Sequence, residues 1–76
     1  MERTKINVLS KLLSFIANNE TEFLTFIYTE VEMKDAIHTF LERIGCKKIV
    51  HYKRDDFSAV SFHLNPNWYE YVNVKF

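Results

Sequence analysis

The hydrophobic pattern of this chain changes its period at Gly45, the only glycine among 76 residues. Before Gly45, apolar residues recur every three or four positions, which is the spacing of a helix face. After Gly45, apolar and polar residues alternate, which is the spacing of a strand. Glycine commonly follows the end of a helix because the left-handed backbone needed there strains other residues. The sequence therefore predicts an α+β domain whose sheet lies mainly after Gly45.

Two amphipathic helices are predicted before Gly45. The first covers residues 5–17, with one apolar face and Asn18-Asn19 as its end. The second begins at Thr29, where Thr29-Glu30-Val31-Glu32 has the spacing of a capping box. We therefore expect the Thr29 hydroxyl to cap this helix, and Thr29→Ala to lower the free energy of unfolding by about 1 kcal/mol.

After Gly45 the alternation predicts strands at 47–54, 57–64 and 68–76, arranged as an antiparallel meander packed on the helices. A three-residue loop at 55–57 would place Tyr52 opposite Val60 and turn Val50 and Tyr52 towards the helices. The outward face would then carry Ile49, His51, Lys53, Ala59, Ser61 and His63. In the last strand Glu70 interrupts the apolar face, which indicates a bulge or an edge position.

Residues 22–28 decide between two folds. Their aromatic and β-branched content favours a strand, which gives an N-terminal helix, a strand, the capped helix and the meander. However, Phe23, Phe26 and Ile27 also fit one face of a helix, which gives three helices followed by a β-hairpin. That order resembles a winged-helix domain, whose third helix would enter a major groove and whose wing tip would be residues 53–56. The sequence leaves both folds open.

The length of the chain predicts one small domain over residues 1–76 with a limited core. Cys46 is the only cysteine, so we expect it to be buried, and we expect a reducing, cytoplasmic location. No apolar run reaches the roughly 18 residues of a membrane span. The three histidines lack the spacing of a zinc site, and no nucleophile or phosphate-loop motif is present. We therefore expect no metal, no cofactor and no enzymatic activity.

Charge is segregated along the chain. Residues 20–42 hold six acids and one base, whereas residues 43–54 hold five bases and no acid. The basic residues, which could contact the phosphates of a nucleic acid, are Arg43, Lys47, Lys48, Lys53 and Arg54. Lysines on a strand also deter edge-to-edge pairing, which is the alternative reason for their presence. The acids of the capped helix, which would repel phosphates, are Glu32, Asp35 and Glu42.

These patterns favour a protein-binding module, such as a small regulator or inhibitor. Tyr69, Tyr71 and Lys75 would form an accessible edge on the last strand, and tyrosines are common anchors of protein interfaces. The acidic helix would supply a second contact, through Glu32, Asp35 and Glu42. A free edge could also pair with a second copy, giving a homodimer. The alternative is a winged-helix nucleic-acid-binding protein that uses the five basic residues.

Overall fold

The computed structural model describes residues 3–72, which form two helices and three strands. The helices are α1, Arg3–Asn18, and α2, Lys34–Arg43. The strands are β1, Phe23–Tyr28, β2, Lys47–Lys53, and β3, Ser58–His63. Short 3-10 helices cover Val31–Met33 and Trp68–Glu70. The predicted α+β class is confirmed.

Residues 23–28 form a strand, so the three-helix arrangement of the winged-helix alternative is wrong for the described part of the chain. β1 pairs antiparallel with β3, and Leu24 lies opposite Phe62 while Phe26 lies opposite Val60. Burial alternates along β1: Leu24, Phe26 and Tyr28 are buried, and the residues between them are exposed. That period of two is the physical reason why a helix does not form here, since a helix would bury residues three or four apart.

The sheet is three-stranded, antiparallel and packed on the helices as predicted, but β1 supplies its third strand in place of residues 68–72. The strand order is β1-β3-β2, which makes β3 the central strand and leaves β1 and β2 at the edges. The expected strand at 68–76 does not form over residues 68–72, where the chain makes a 3-10 helix and a turn. The backbone N–H of Trp68 donates to the Asn65 carbonyl, which closes the turn around Pro66. Residues 73–76 lie outside the described part.

Both helices pack on one face of the sheet, so the domain has two layers. The core contains Leu12 and Ile16 from α1 and Ile37 and Leu41 from α2, all fully buried. The sheet contributes the buried side chains Leu24, Phe26, Tyr28, Val60 and Phe62. Each fully buried aliphatic or aromatic side chain contributes about 1.5–3 kcal/mol. We call the face of the sheet that carries these residues the inner face.

Gly45 ends α2 as expected, with φ at +86°. The backbone N–H of Cys46 donates to the Leu41 carbonyl and that of Gly45 donates to the Glu42 carbonyl, both at 3.0 Å. These two bonds satisfy carbonyls that the helix itself leaves unpaired. The side chain of Asn65 adds a third bond, since its Nδ2 donates to the Ile44 carbonyl at 3.2 Å.

The predicted capping box is wrong. A 3-10 helix precedes α2, and neither helix has a side-chain hydrogen bond at its N-cap residue, which is Glu30 for the 3-10 helix and Met33 for α2. The backbone N–H of Thr29 donates to Glu30 Oε1 at 3.2 Å, so the carboxylate next in sequence takes this amide instead of Glu32. The chain therefore begins the helix through a tight turn, and the threonine hydroxyl does not cap it.

The predicted faces of β2 are inverted, whereas those of β3 are correct. Tyr52 lies opposite Ala59 and Val50 opposite Ser61, so Val50 and Tyr52 point away from the helices. The register shifts by one residue between Lys47 and Val50, at Lys48, whose φ is +52°. A one-residue bulge reverses which side chains point inward beyond it. The turn is also shorter than expected, because the Arg54 N–H donates to the Phe57 carbonyl across Asp55-Asp56.

Candidate functional site

The face of the sheet opposite the helices is the main candidate for a binding surface. Antiparallel pairing arranges its side chains in three rows that cross the sheet. We call this surface the outer face; its rows are Phe23–His63–Lys47, Thr25–Ser61–Val50 and Ile27–Ala59–Tyr52. Among residues 3–72, both helices lie on the inner face, so neither of them covers these rows.

The outer face exposes large apolar side chains. Phe23 is 59% exposed and Ile27 is 61% exposed on β1, while Val50 and Tyr52 are 46% and 42% exposed on β2. On the central strand Ala59 is buried between its larger neighbours Ile27 and Tyr52. Ile27, Tyr52 and Val50 adjoin one another around Ala59, whereas Phe23 lies at the opposite corner of the face, beyond Thr25 and His63. Scattered exposed hydrophobic residues are ordinary, but a contiguous group on one face of a small domain is typical of an interaction surface.

Two contacts hold the outer face in shape. The Thr25 and Ser61 hydroxyls form a hydrogen bond of 2.9 Å in the middle row. In the first row the rings of Phe23 and His63 meet edge to face, with centroids 3.8 Å apart. These contacts cross from β1 to β3, so they fix the side chains of the edge strand on the central one. Two of the three rows are therefore linked across β1 and β3 by side-chain contacts.

The charge of the sheet is positive. β1 and β3 contain no Lys, Arg, Asp or Glu, and β2 contains Lys47, Lys48 and Lys53 without an acid. Arg54 follows β2, and its guanidinium lies 5.9 Å from the centre of the Tyr52 ring, on the outer face. The outer face thus combines apolar residues with cations along its β2 side.

The five predicted basic residues do not form one continuous patch. Lys47 and Lys48 lie at the beginning of β2, and Lys53 and Arg54 lie at its end, a separation of roughly 20 Å along the strand. Arg43 ends α2 and lines a groove between the two helices together with Lys5. The expected basic ribbon is therefore divided between the two ends of the sheet and a helix.

The predicted protein-binding residues are also spread over the molecule. Tyr69 and Tyr71 are exposed beside Trp68, whose indole N–H donates to Glu20 Oε1 at 2.8 Å, near the end of α1. Glu32 and Asp35 lie beyond the other end of β1, so the six residues of that strand separate them from the tyrosines. Glu42 lies at the last turn of α2. Lys75 is outside the described residues.

The acids of α2 and of the turn before it point into solvent, as the sequence analysis expected. Glu32, Asp35 and Glu42 are all exposed. Within residues 3–72, the one ion pair joins His38 Nε2 to Glu42 Oε2 at 3.6 Å. No lysine or arginine of the described residues forms an ion pair with these carboxylates, although Lys5 and Arg43 line the same groove as Glu32 and Asp35.

A pair of histidines joins α2 to β2 on the inner face. His38 Nδ1 and His51 Nε2 share a hydrogen bond of 2.8 Å, and His51 Nδ1 is buried without a hydrogen-bond partner in the described residues. Burial lowers the pKa of His51, the charges of His38 and Lys34 lower it further, and Asp35 opposes them. The pair needs one unprotonated nitrogen to accept the bond, so it favours the neutral state of His51.

The remaining groups that could carry chemistry are isolated. Cys46 is a free, buried thiol, and burial raises its pKa, so little of it is the reactive thiolate at neutral pH. Residues 3–72 contain no group of three or more His, Cys, Asp and Glu side chains placed to hold a metal ion. Neither described helix has the length and apolar content needed to cross a bilayer.

No protein-family model matches the chain, and no curated protein or solved structure matches it. The assignment of the candidate site therefore rests on the geometry of residues 3–72. Sequence reasoning missed Phe23 and Ile27, although a signal was present: β1 is apolar at every position except Thr25. A strand that is apolar on both sides, in a chain with only enough helix to cover one side, leaves the other side open.

Proposed function

We propose that this chain is a protein-binding module whose outer face docks on an apolar surface of a protein partner. The observation that carries the proposal is the exposure of Ile27, Val50 and Tyr52 beside one another on one face of the sheet, with Phe23 exposed on the same face. Such a module acts by occupying its partner, as a small regulator or inhibitor does, and not by catalysis. Aromatic and aliphatic side chains of this kind form the cores of protein interfaces.

The size of the surface limits the affinity. Burying one large apolar side chain completely contributes about 1.5–3 kcal/mol, and these four are each about half exposed. Their burial therefore supplies about 4 kcal/mol, which does not exceed the roughly 4–15 kcal/mol that association costs in lost translational and rotational freedom. Tighter binding needs polar contacts around the apolar rows. The cations Lys47 and Arg54 border these rows, so the matching partner carries acidic residues around an apolar centre.

Single-stranded nucleic acid is the competing ligand, because Phe23 and Tyr52 could stack on bases while Lys47 and Arg54 contact phosphates. Two features favour a protein. The described acids outside the sheet form no ion pair with lysine or arginine, and the whole chain has a net charge of zero. A neutral molecule lacks the long-range attraction that nucleic-acid-binding proteins use. The apolar residues Ile27 and Val50 also offer no stacking surface.

The experiment compares capture of partners by three forms of the tagged chain in an extract of its source organism. Val50→Thr/Tyr52→Thr removes apolar area from the outer face while keeping residues that favour strands. Val31→Thr is the matched control, since Val31 is 54% exposed but lies in the 3-10 helix before α2. We expect a partner retained by the wild type and by Val31→Thr. The double variant should lower its affinity about tenfold in calorimetry with the purified partner.

Two results would overturn the proposal. Equal affinity of the wild type and the double variant would exclude the outer face, and loss of binding in Tyr69→Thr/Tyr71→Thr would transfer the site to the tyrosines near the end of α1. Binding of a labelled single-stranded oligonucleotide at low salt, weakened by Lys47→Ala/Arg54→Ala, would favour the nucleic-acid reading instead.

A further inference from the structure

The two edges of the sheet are protected very differently. The β2 edge carries Lys47, Lys48 and Lys53 and a bulge at Lys48, and charges and bulges are the usual devices that prevent strands from pairing at an edge. β1 is six residues long and has no charged residue, no proline and an unbroken register with β3. Among residues 3–72 it pairs with β3 only. Its other side is therefore a row of backbone donors and acceptors, in which the Phe23 carbonyl accepts a 2.8 Å hydrogen bond from the Thr21 hydroxyl that a pairing strand would replace.

We propose that the occupant of this edge is β1 of a second copy, paired antiparallel about a two-fold axis. Directly opposite residues in an antiparallel pair point to the same face, so Phe23, Thr25 and Ile27 must meet one another. A two-fold axis through Thr25 satisfies this condition. It places Phe23 opposite Ile27 of the second copy, and Leu24 opposite its Phe26. Both pairs are apolar, and both inner faces remain with their own helices.

The neighbouring register explains why the axis passes through Thr25. If the axis passed through Phe26, Glu22 would lie opposite Glu30 of the second copy, at the ends of the paired strands. Like charges directly opposite each other destabilise a pair. With the axis at Thr25, Glu22 instead lies opposite Tyr28, and the like-charged pair Glu20–Glu30 lies one position farther from the axis. Only this register also pairs Phe23 with Ile27, because an axis at Leu24 or Phe26 would place each of them opposite a threonine.

The dimer has a consequence for the outer face. Two three-stranded sheets joined at β1 form one six-stranded sheet, and the exposed Phe23 and Ile27 of both copies become neighbours at its centre. The apolar rows of the two copies would then be continuous. The dimer does not rest on the proposed function, since it needs only the edge of β1. The experiment below uses the β1 edge, whereas the capture experiment changes β2.

The test is a charge exchange at the predicted axis. Thr25→Lys and Thr25→Glu each place two like charges face to face in the homodimer, whereas a mixture of the two variants places opposite charges there. Val50→Lys is the matched control, because Val50 lies in the same row on the opposite edge. Sedimentation equilibrium measures the mass, which is 9.1 kDa for one chain and twice that for a dimer.

We expect the wild type and Val50→Lys to dimerise with rising concentration. Each Thr25 variant alone should dimerise at least fivefold more weakly, and the mixture should recover the dimer. A wild type that stays monomeric at millimolar concentration would refute the proposal, and so would a mixture no stronger than its components. Amide exchange provides a test without substitution: protection in β1 should rise with concentration. Protection that does not depend on concentration would mean that the chain covers its own edge.

Discussion

Gly45→Ala is expected to lower the free energy of unfolding by about 2 kcal/mol. Two costs add. Gly45 has φ of +86°, and a left-handed backbone costs an L-residue about 1–2 kcal/mol. A Cβ at this position would also lie 2.5 Å from Asn65 Nδ2, so the Asn65 side chain must move. That movement breaks its bond to the Ile44 carbonyl, worth about 0.5–1.5 kcal/mol. The stiffer unfolded chain offsets about 0.4–1 kcal/mol.

A double-mutant cycle separates the two costs. In Asn65→Ala the amide is absent, so only the backbone strain remains when Gly45→Ala is added. That second substitution should then lower the free energy of unfolding by about 1 kcal/mol. The single variants are therefore non-additive by about 1 kcal/mol, with the double variant more stable than their sum. Urea denaturation at equilibrium gives each free energy, and thermal melting should show a decrease of about 10 °C for Gly45→Ala in a domain of this size.

Two outcomes would refute this reasoning. An unchanged denaturation midpoint for Gly45→Ala would mean that the positive φ does not constrain this residue. Additive costs in the cycle would mean that a Cβ at position 45 does not displace Asn65. In either case the end of α2 would be held by the backbone bonds of Gly45 and Cys46, without the contribution of the asparagine.

Three further predictions concern the start of α2, the bulge and the histidine pair. Thr29→Ala should change the free energy of unfolding, measured by urea denaturation, by less than about 0.5 kcal/mol, since no cap is lost. Lys48→Val should be less stable than Lys48→Gly by about 1–2 kcal/mol in the same assay, because a β-branched residue resists positive φ. The free energy of unfolding should fall as the pH drops below about 6.5. The reason is that the pKa of His51 is lower in the folded chain, so the unfolded chain takes up a proton at a higher pH. His51→Gln should flatten this slope; equal slopes in the wild type and His51→Gln would contradict the assignment.

The helices and the change at Gly45 could be predicted because each depends on local pattern. The apolar stripe of α1 and the position of Gly45 after α2 are visible in the sequence, and both were correct. Residues 22–28 fitted either a strand or a helix by periodicity, and pairing with β3, more than 30 residues away, decided between them. Local pattern carries no information about such a distant partner.

The β2 half of the candidate site could not be predicted because it depends on one residue of register. Val50 and Tyr52 were expected on the inner face, and the bulge at Lys48 turned them outward. A positive φ is usually indicated by glycine, asparagine or aspartate and not by lysine, so the sequence did not predict the bulge. The basic residues were predicted as a ribbon because they are close in sequence. An extended strand separates such residues by about 3.3 Å each, which distributes them over both ends of the sheet.

The open outer face and the small core have one physical origin. α1 and α2 form a single layer, which can cover one face of a three-stranded sheet, and β1 is apolar on both. Among residues 3–72 no second layer of helices covers the outer face, so a molecule that docks there, or a strand that extends the sheet at β1, would bury surface that these residues leave exposed. Anything that binds only the folded chain stabilises it by mass action. If the edge of β1 pairs as proposed, the melting temperature must rise with protein concentration, and Thr25→Lys must remove that dependence while Val50→Lys keeps it.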